Sequence, residues 1–228
     1  CYLQLGQVAR AFAHYDAAIT DAELRGEPHT VMQRHLTVAE AKLRHGVVVD
    51  LAELATLREQ DADLGRAHEA WITELEAHAA ALRGDLDRAG VAAVEALPTQ
   101  HLTHAEAERR DHVLALGALV LGDPLSALVV SARRPDSMRL VAIKEVATGL
   151  TTPFDGSGSA VDQLLLAHVR GLNGSKEAAA DAVRRRQSLE EAWPPHDEAL
   201  RRLLALYTRA HGRRSGTGKA DSKRQRKR

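Results

Sequence analysis

Gly84-Asp85-Leu86-Asp87-Arg88-Ala89 stands between two apolar runs and pairs a glycine with a small apolar residue five positions later. The same shape returns as Gly122 with Ala127 and Gly174 with Ala179, and more loosely as Gly46 with Leu51 and Ala13 with Ala18. A helical hairpin needs this punctuation. The chain leaves one helix through a residue that tolerates unusual backbone angles and enters the next with a small side chain at the crossing. The corners are spaced by 33, 38, 38 and 52 residues, and periods in this range made of helix pairs point to stacked repeats.

Composition agrees with helices. Aromatic residues are 3% of the 228, and the chain lacks the β-branched and aromatic runs that sheets require. The expected class is all-α, an α-solenoid of about five hairpins, with repeats over residues 1–135 and an extra helix and irregular loop over 136–158. A final repeat and capping helix follow over 159–212, and a disordered basic tail over 213–228. Local signals set the boundaries. Asp50 with Glu53, Thr103 with Glu106 and Ser159 with Asp162 have capping-box spacing, and Pro124 suits a first helical turn. Asp136 to Thr148 departs from the rhythm, which makes residues 136–158 the stretch expected to interrupt the stack.

The first unit, Tyr2-x-x-Leu5-Gly6-x-x-Ala9 followed by Tyr15, Ala18, Ile19 and Ala22, resembles the tetratricopeptide repeat. Registered on their corners, the units place Gly6, Ala39, Ala77, Ala115 and Ala167 at one small-residue site, and Ala18, Leu51, Ala89, Ala127 and Ala179 at the crossing. With His35 and Thr73 at the heads of the second and third units and a period of 38, the chain is closer to long, divergent bacterial repeats than to the consensus. The resemblance covers roughly residues 1–192 and implies that the first helix of each unit lines a concave groove for a peptide or partner helix. Carried onto the registered positions, it marks Gln7, Arg10, Gln33, Glu40, Arg44, Trp71, Glu74, His78, Arg109, His112 and His168. Leu36, Leu43, Leu116 and Leu165 share that inner face and make it mixed in character. Read without the resemblance, the polar residues are the solvated stripe of amphipathic helices.

The residues do not build a catalytic case. His101, His104, Asp111 and His112 are the densest group among twelve histidines, but no HExxH or paired-cysteine spacing accompanies them, and neither metal nor cofactor is expected. Asp155-Gly156-Ser157-Gly158-Ser159 lacks the lysine and preceding strand of a phosphate loop and reads as a connector. Cys1 is the only cysteine, so no intrachain disulfide is possible, and no apolar run reaches the ~20 residues of a spanning helix. A cytoplasmic, non-enzymatic protein is expected, with no membrane role. A chain that opens Cys1-Tyr2-Leu3 is expected to be cut from a longer bacterial protein.

The formal neutrality of the chain hides a division. Residues 213–228 hold eight basic side chains (Arg213, Arg214, Lys219, Lys223, Arg224, Arg226, Lys227, Arg228) and one acidic, Asp221, leaving a body with 23 basic and 30 acidic residues. Such a tail is expected to be disordered and able to attract nucleic acid without base specificity, although a solubilising end is the favoured reading because no aromatic residue is present to stack on bases. The function expected from the sequence is protein–protein interaction through the groove. The alternative is a ligand- or partner-sensing domain of a bacterial transcriptional regulator or ATPase. The partner's identity and the oligomeric state are not written in these residues.

Overall fold

Capping chemistry decides where many of the helices begin. Asp87 accepts from Gly90 N, Asp123 from Ser126 N, and Ser175 from Ala178 N, so each satisfies a donor that the first turn leaves free. Thr103 and Glu106 form a complete capping box, as do Ser159 and Asp162. At Asp50 only half the expected box is made: its carboxylate takes Ala52 N, and Glu53 reaches Lys42 instead.

The structure is a computed structural model that describes residues 2–3, 6–154, 156, 158–192 and 197–225, with side chains as far as Glu190 in the tenth helix and Arg213 in the last. Among the described residues it is all-helical, with eleven helices and no strand: α1 Val8–Leu24, α2 Pro28–Arg44, α3 Leu51–Asp63, α4 Glu69–Arg83, α5 Arg88–Glu95, α6 His104–Leu121, α7 Pro124–Ser131, α8 Met138–Thr148, α9 Ala160–Leu172, α10 Lys176–Ala192 and α11 Asp197–Gln225. None is long and apolar enough to cross a membrane.

Helices α2, α4, α6 and α8 pack each against the next in one layer, with α1 on α2, α3 on α4, α5 between α4 and α6, and α7 between α6 and α8. Helix α9 continues from α8 and pairs closely with α10, while α11 packs across α4, α6, α8 and α9. The registered small residues explain the close layering. Ala39, Ala77, Ala115 and Ala167 are buried on α2, α4, α6 and α9, and Gly6, ahead of α1, is buried near Ala160 and Leu189. Gly84 and Gly122 end α4 and α6 in the left-handed conformation at φ +84° and +78°, which a side chain rarely adopts.

Several expectations change. The corner near Ala13 does not exist: α1 is continuous, since no glycine or proline interrupts Val8–Leu24 and its alanines favour helix. The stretch that carries the tetratricopeptide resemblance is therefore spanned from Val8 by one helix, and Leu5 lies outside the described residues. Of the expected crossing residues, Ala127 is buried and Ala179 meets Gly171 closely, but Leu51 and Ala89 are exposed because they fall in the first turns of α3 and α5. The extra helix expected within residues 136–158 is present as α8, and it packs into the core. Helix α8 is buried at Met138, Arg139, Leu140, Val141, Ala142, Ile143, Glu145 and Val146, and Glu145 holds Arg170 of α9. The backbone of α11 runs on to Gln225, past Gly212 and through the start of the stretch expected as a tail. Arg226, Lys227 and Arg228 lie outside the described residues, as do the side chains of Arg214, Lys219, Lys223 and Arg224.

Candidate functional site: the inner face under the last helix

Helix α11 carries Leu200, Leu203, Leu204 and Tyr207 at spacings of three and four, an apolar stripe that needs a partner surface. It finds that surface on α4, α6, α8 and α9: Ala199, Leu200, Leu203, Leu204, Leu206 and Tyr207 are all buried. Along its length α11 is tied by polar contacts, Arg186 to Asp197 at 2.8 Å, Thr208 to His168 at 2.9 Å, and Arg213 to the carbonyl of Val120.

Beneath and beside it, the expected groove residues bind one another. Glu40 of α2 accepts from Trp71 Nε1 of α4 at 3.1 Å and from Arg109 Nη1 of α6 at 3.4 Å, and it lies 3.6 Å from Arg44. Glu74 of α4, 1% exposed, accepts from Arg109 Nε at 2.6 Å and from Arg110 Nε at 2.8 Å. The Arg109 guanidinium also lies 4.5 Å from the Trp71 ring centroid, a cation–π contact. Arg44 reaches Glu108 at 3.6 Å, and Arg139 of α8 bonds Asp162 of α9 through Nε at 2.6 Å and the carbonyl of Arg44 through Nη2 at 2.9 Å. Four arginines and four carboxylates thus link α2, α4 and α6 to one another and α8 to α9.

Two histidines fill the space between these charges. His78 of α4 and His112 of α6 meet edge to face with ring centroids 5.0 Å apart. Burial pushes the His78 imidazole down to about 3 and His112 well below its ordinary value, with Arg139 and Arg44 opposing protonation further, so both are neutral at pH 7. Burial likewise lifts Tyr207 to about 12. Asp162 goes the other way. Burial would raise it, but Arg139 and Arg44 outweigh that and hold it near 2. Within this region His78 Nε2, Arg139 Nη1 and Tyr207 Oη are buried without a hydrogen-bond partner among the described residues.

The structure therefore brings Glu40, Arg44, Trp71, Glu74, His78, Arg109 and His112 into one connected region, and His168 into contact with α11. Gln7, Arg10 and Gln33 stay apart and exposed, with Arg10 bonded to Gln7 on the same helix turn. Leu36, Leu43, Leu116 and Leu165 are core. Much of the expected groove set is paired within the chain: Glu40 and Glu74 both meet arginines of α6, while Arg44, a third of its side chain exposed, meets Glu108. Glu108, Arg110, Arg139, Asp162 and Tyr207 were missed. The signal for Tyr207 was present in the apolar spacing of the last helix, and for Arg139 in a lone arginine among Met138, Leu140, Val141 and Ile143.

The histidine-rich group disperses. His104 contacts Arg134 and lies 3.6 Å from Asp136, Asp111 binds Arg133 and Arg134, and His112 is packed against His78. Among the described residues no three histidine, cysteine or acidic side chains are grouped to hold a metal ion. No protein-family model, no curated protein and no solved structure matches this chain.

Proposed function

We propose that the chain is a non-enzymatic interaction module, a tetratricopeptide-like helical solenoid whose inner face receives an amphipathic helix and whose own α11 occupies that face in cis. The observation that carries the reading is the seat of α11: six buried side chains of one helix laid across four others, in the manner of a bound ligand helix. A partner helix with the same apolar spacing would compete for the face, so α11 sets the threshold for binding.

The buried polar atoms left unpaired around Tyr207 support exchange. Each unmet donor or acceptor costs on the order of 1–3 kcal/mol relative to a bonded one, so this seat is weaker than its apolar contact suggests. The second reading, a sensing domain of a larger bacterial regulator or ATPase, draws on the same feature, because a self-occupied face gives two states for an upstream effector to read.

The test is a fluorescent peptide of residues 197–213 titrated against the full chain and against the full chain carrying Leu203→Asp with Leu206→Asp. The altered chain is expected to bind the peptide saturably and the parent chain not at all. An altered chain that stays helical and ignores the peptide rejects the proposal.

A further inference from the structure

A cleft of about 630 Å³ opens at the C-terminal ends of α5 and α7, where these eight-residue helices stop short of the full length of α6. No residue of α11 lines it. Its volume lies within the range of about 300–1,000 Å³ common to small-ligand sites. The floor is apolar, made of Val94, Leu102, Leu114 and Val130, with Val94 and Leu114 belonging to the core.

Three arginines meet at the cleft, and their bonds leave donors over. Arg110 is 5% exposed; its Nε holds Glu74 and its Nη1 holds the carbonyls of Leu97 and Pro98, which anchors the loop after α5. Among the described residues its Nη2 has no hydrogen-bond partner, and Arg110 lines the cleft. Arg133 Nη1 and Arg134 Nε share one carboxylate, Asp111, at 3.2 and 3.3 Å. Asp111 is buried and orients both guanidinium groups while neutralising only one. Glu95 is the other acid lining the cleft, and Glu74 pairs with Arg110 from behind, so what the arginines offer a ligand is their free N–H donors.

We propose that this cleft binds a small monocarboxylate with an apolar tail, the carboxylate held by Arg110, Arg133 and Arg134 and the tail laid on Val94, Leu102, Leu114 and Val130. The free N–H donors of the planar guanidinium groups match a carboxylate geometrically. The apolar floor supplies the remaining affinity by area removed from water. The site is independent of the exchange of α11, so failure of either proposal leaves the other standing.

The test uses the full chain with labelled Leu and Val methyl groups, titrated with decanoate below its micelle concentration. Saturable shifts at Val94, Leu102, Leu114 and Val130 are expected, with no saturation by acetate or by decyltrimethylammonium over the same range. Arg133→Ala with Arg134→Ala, both at the cleft rim, is expected to weaken decanoate at least tenfold, and Leu102→Glu to abolish its binding with helicity unchanged. The proposal is overturned if those methyl groups do not respond, if the cation binds as tightly as the carboxylate, if acetate saturates equally well, or if either variant keeps the parent affinity.

Discussion

Gly46 lies against the backbone of Ala199: a β-carbon at Gly46 would stand 2.3 Å from the Ala199 carbonyl oxygen and 2.9 Å from Leu203 Cβ. Gly46 also has φ +79°, so the residue that turns the chain out of α2 is the one that lets α11 approach. Corner and seat are one position.

Gly46→Ala is therefore expected to lift the first turns of α11, seen as loss of amide-exchange protection over residues 199–207. Gly84→Ala is the matched control, since Gly84 has φ +84° and nothing within 4 Å of its β-carbon. The control should cost only the backbone strain, about 1–2 kcal/mol, and leave α11 protected. Equal effects of the two substitutions would remove the steric argument.

Glu74 and Glu76 are two residues apart on α4 and differ in what their loss should do. Glu74 is sealed between Arg109 and Arg110, whereas Glu76 meets Arg58 at a side-chain exposure of 34%. Glu74→Ala leaves two buried guanidinium groups short of a charge and should destabilise by about 3–5 kcal/mol. Glu76→Ala should cost under about 1 kcal/mol. Urea unfolding of both variants decides it, and similar midpoints would mean that the buried network contributes little.

The fold class could be read from the sequence because it depends on local information. Gly84 and Gly122 mark corners, Thr103 and Ser159 mark starts, and a small residue recurs at each layer contact. The candidate site was legible only in part. Registration grouped Glu40, Glu74, His78 and Arg109, which do meet in one connected region, but whether a polar side chain there meets water or an arginine depends on the neighbouring helix, which no single helix encodes. The seat of α11 joins residues as far apart as Gly46 and Ala199, a contact set by tertiary packing. Asp136 to Thr148 broke the repeat spacing, and spacing alone could not distinguish an insertion from a further core helix.

Acid should loosen the chain earlier than carboxylate protonation would. An unfolded histidine titrates near ~6.5. Burial holds His45 to about 4, His78 to about 3 and His112 lower still in the folded chain. Below pH ~6.5 the unfolded chain takes up protons that the folded chain refuses, so stability falls with decreasing pH, by up to about 1.4 kcal/mol per pH unit for each histidine. Asp162, near 2 when folded, adds a further loss only below the ordinary carboxylate range. Urea midpoints measured from pH 7.5 to 4.5 should decline, and His78→Leu should flatten the slope. A midpoint constant over that range would contradict the buried, neutral histidines.

The Tyr207 hydroxyl gives the sharpest distinction between apolar and polar seating of α11. The side chain is fully buried, its oxygen has no hydrogen-bond partner among the described residues, and burial moves its titration up to about 12. Removing an unsatisfied hydroxyl while keeping the ring relieves a desolvation penalty, so Tyr207→Phe should leave stability unchanged or raise it by up to about 1 kcal/mol. Leu203→Ala, four residues earlier on the same buried face, removes packed volume and should cost about 2–5 kcal/mol. Thermal unfolding read together with exchange protection of residues 199–207 compares the two directly. A loss of more than about 1 kcal/mol in Tyr207→Phe would show that the hydroxyl is bonded in solution, and α11 would then be held by a polar contact as well as by its apolar stripe.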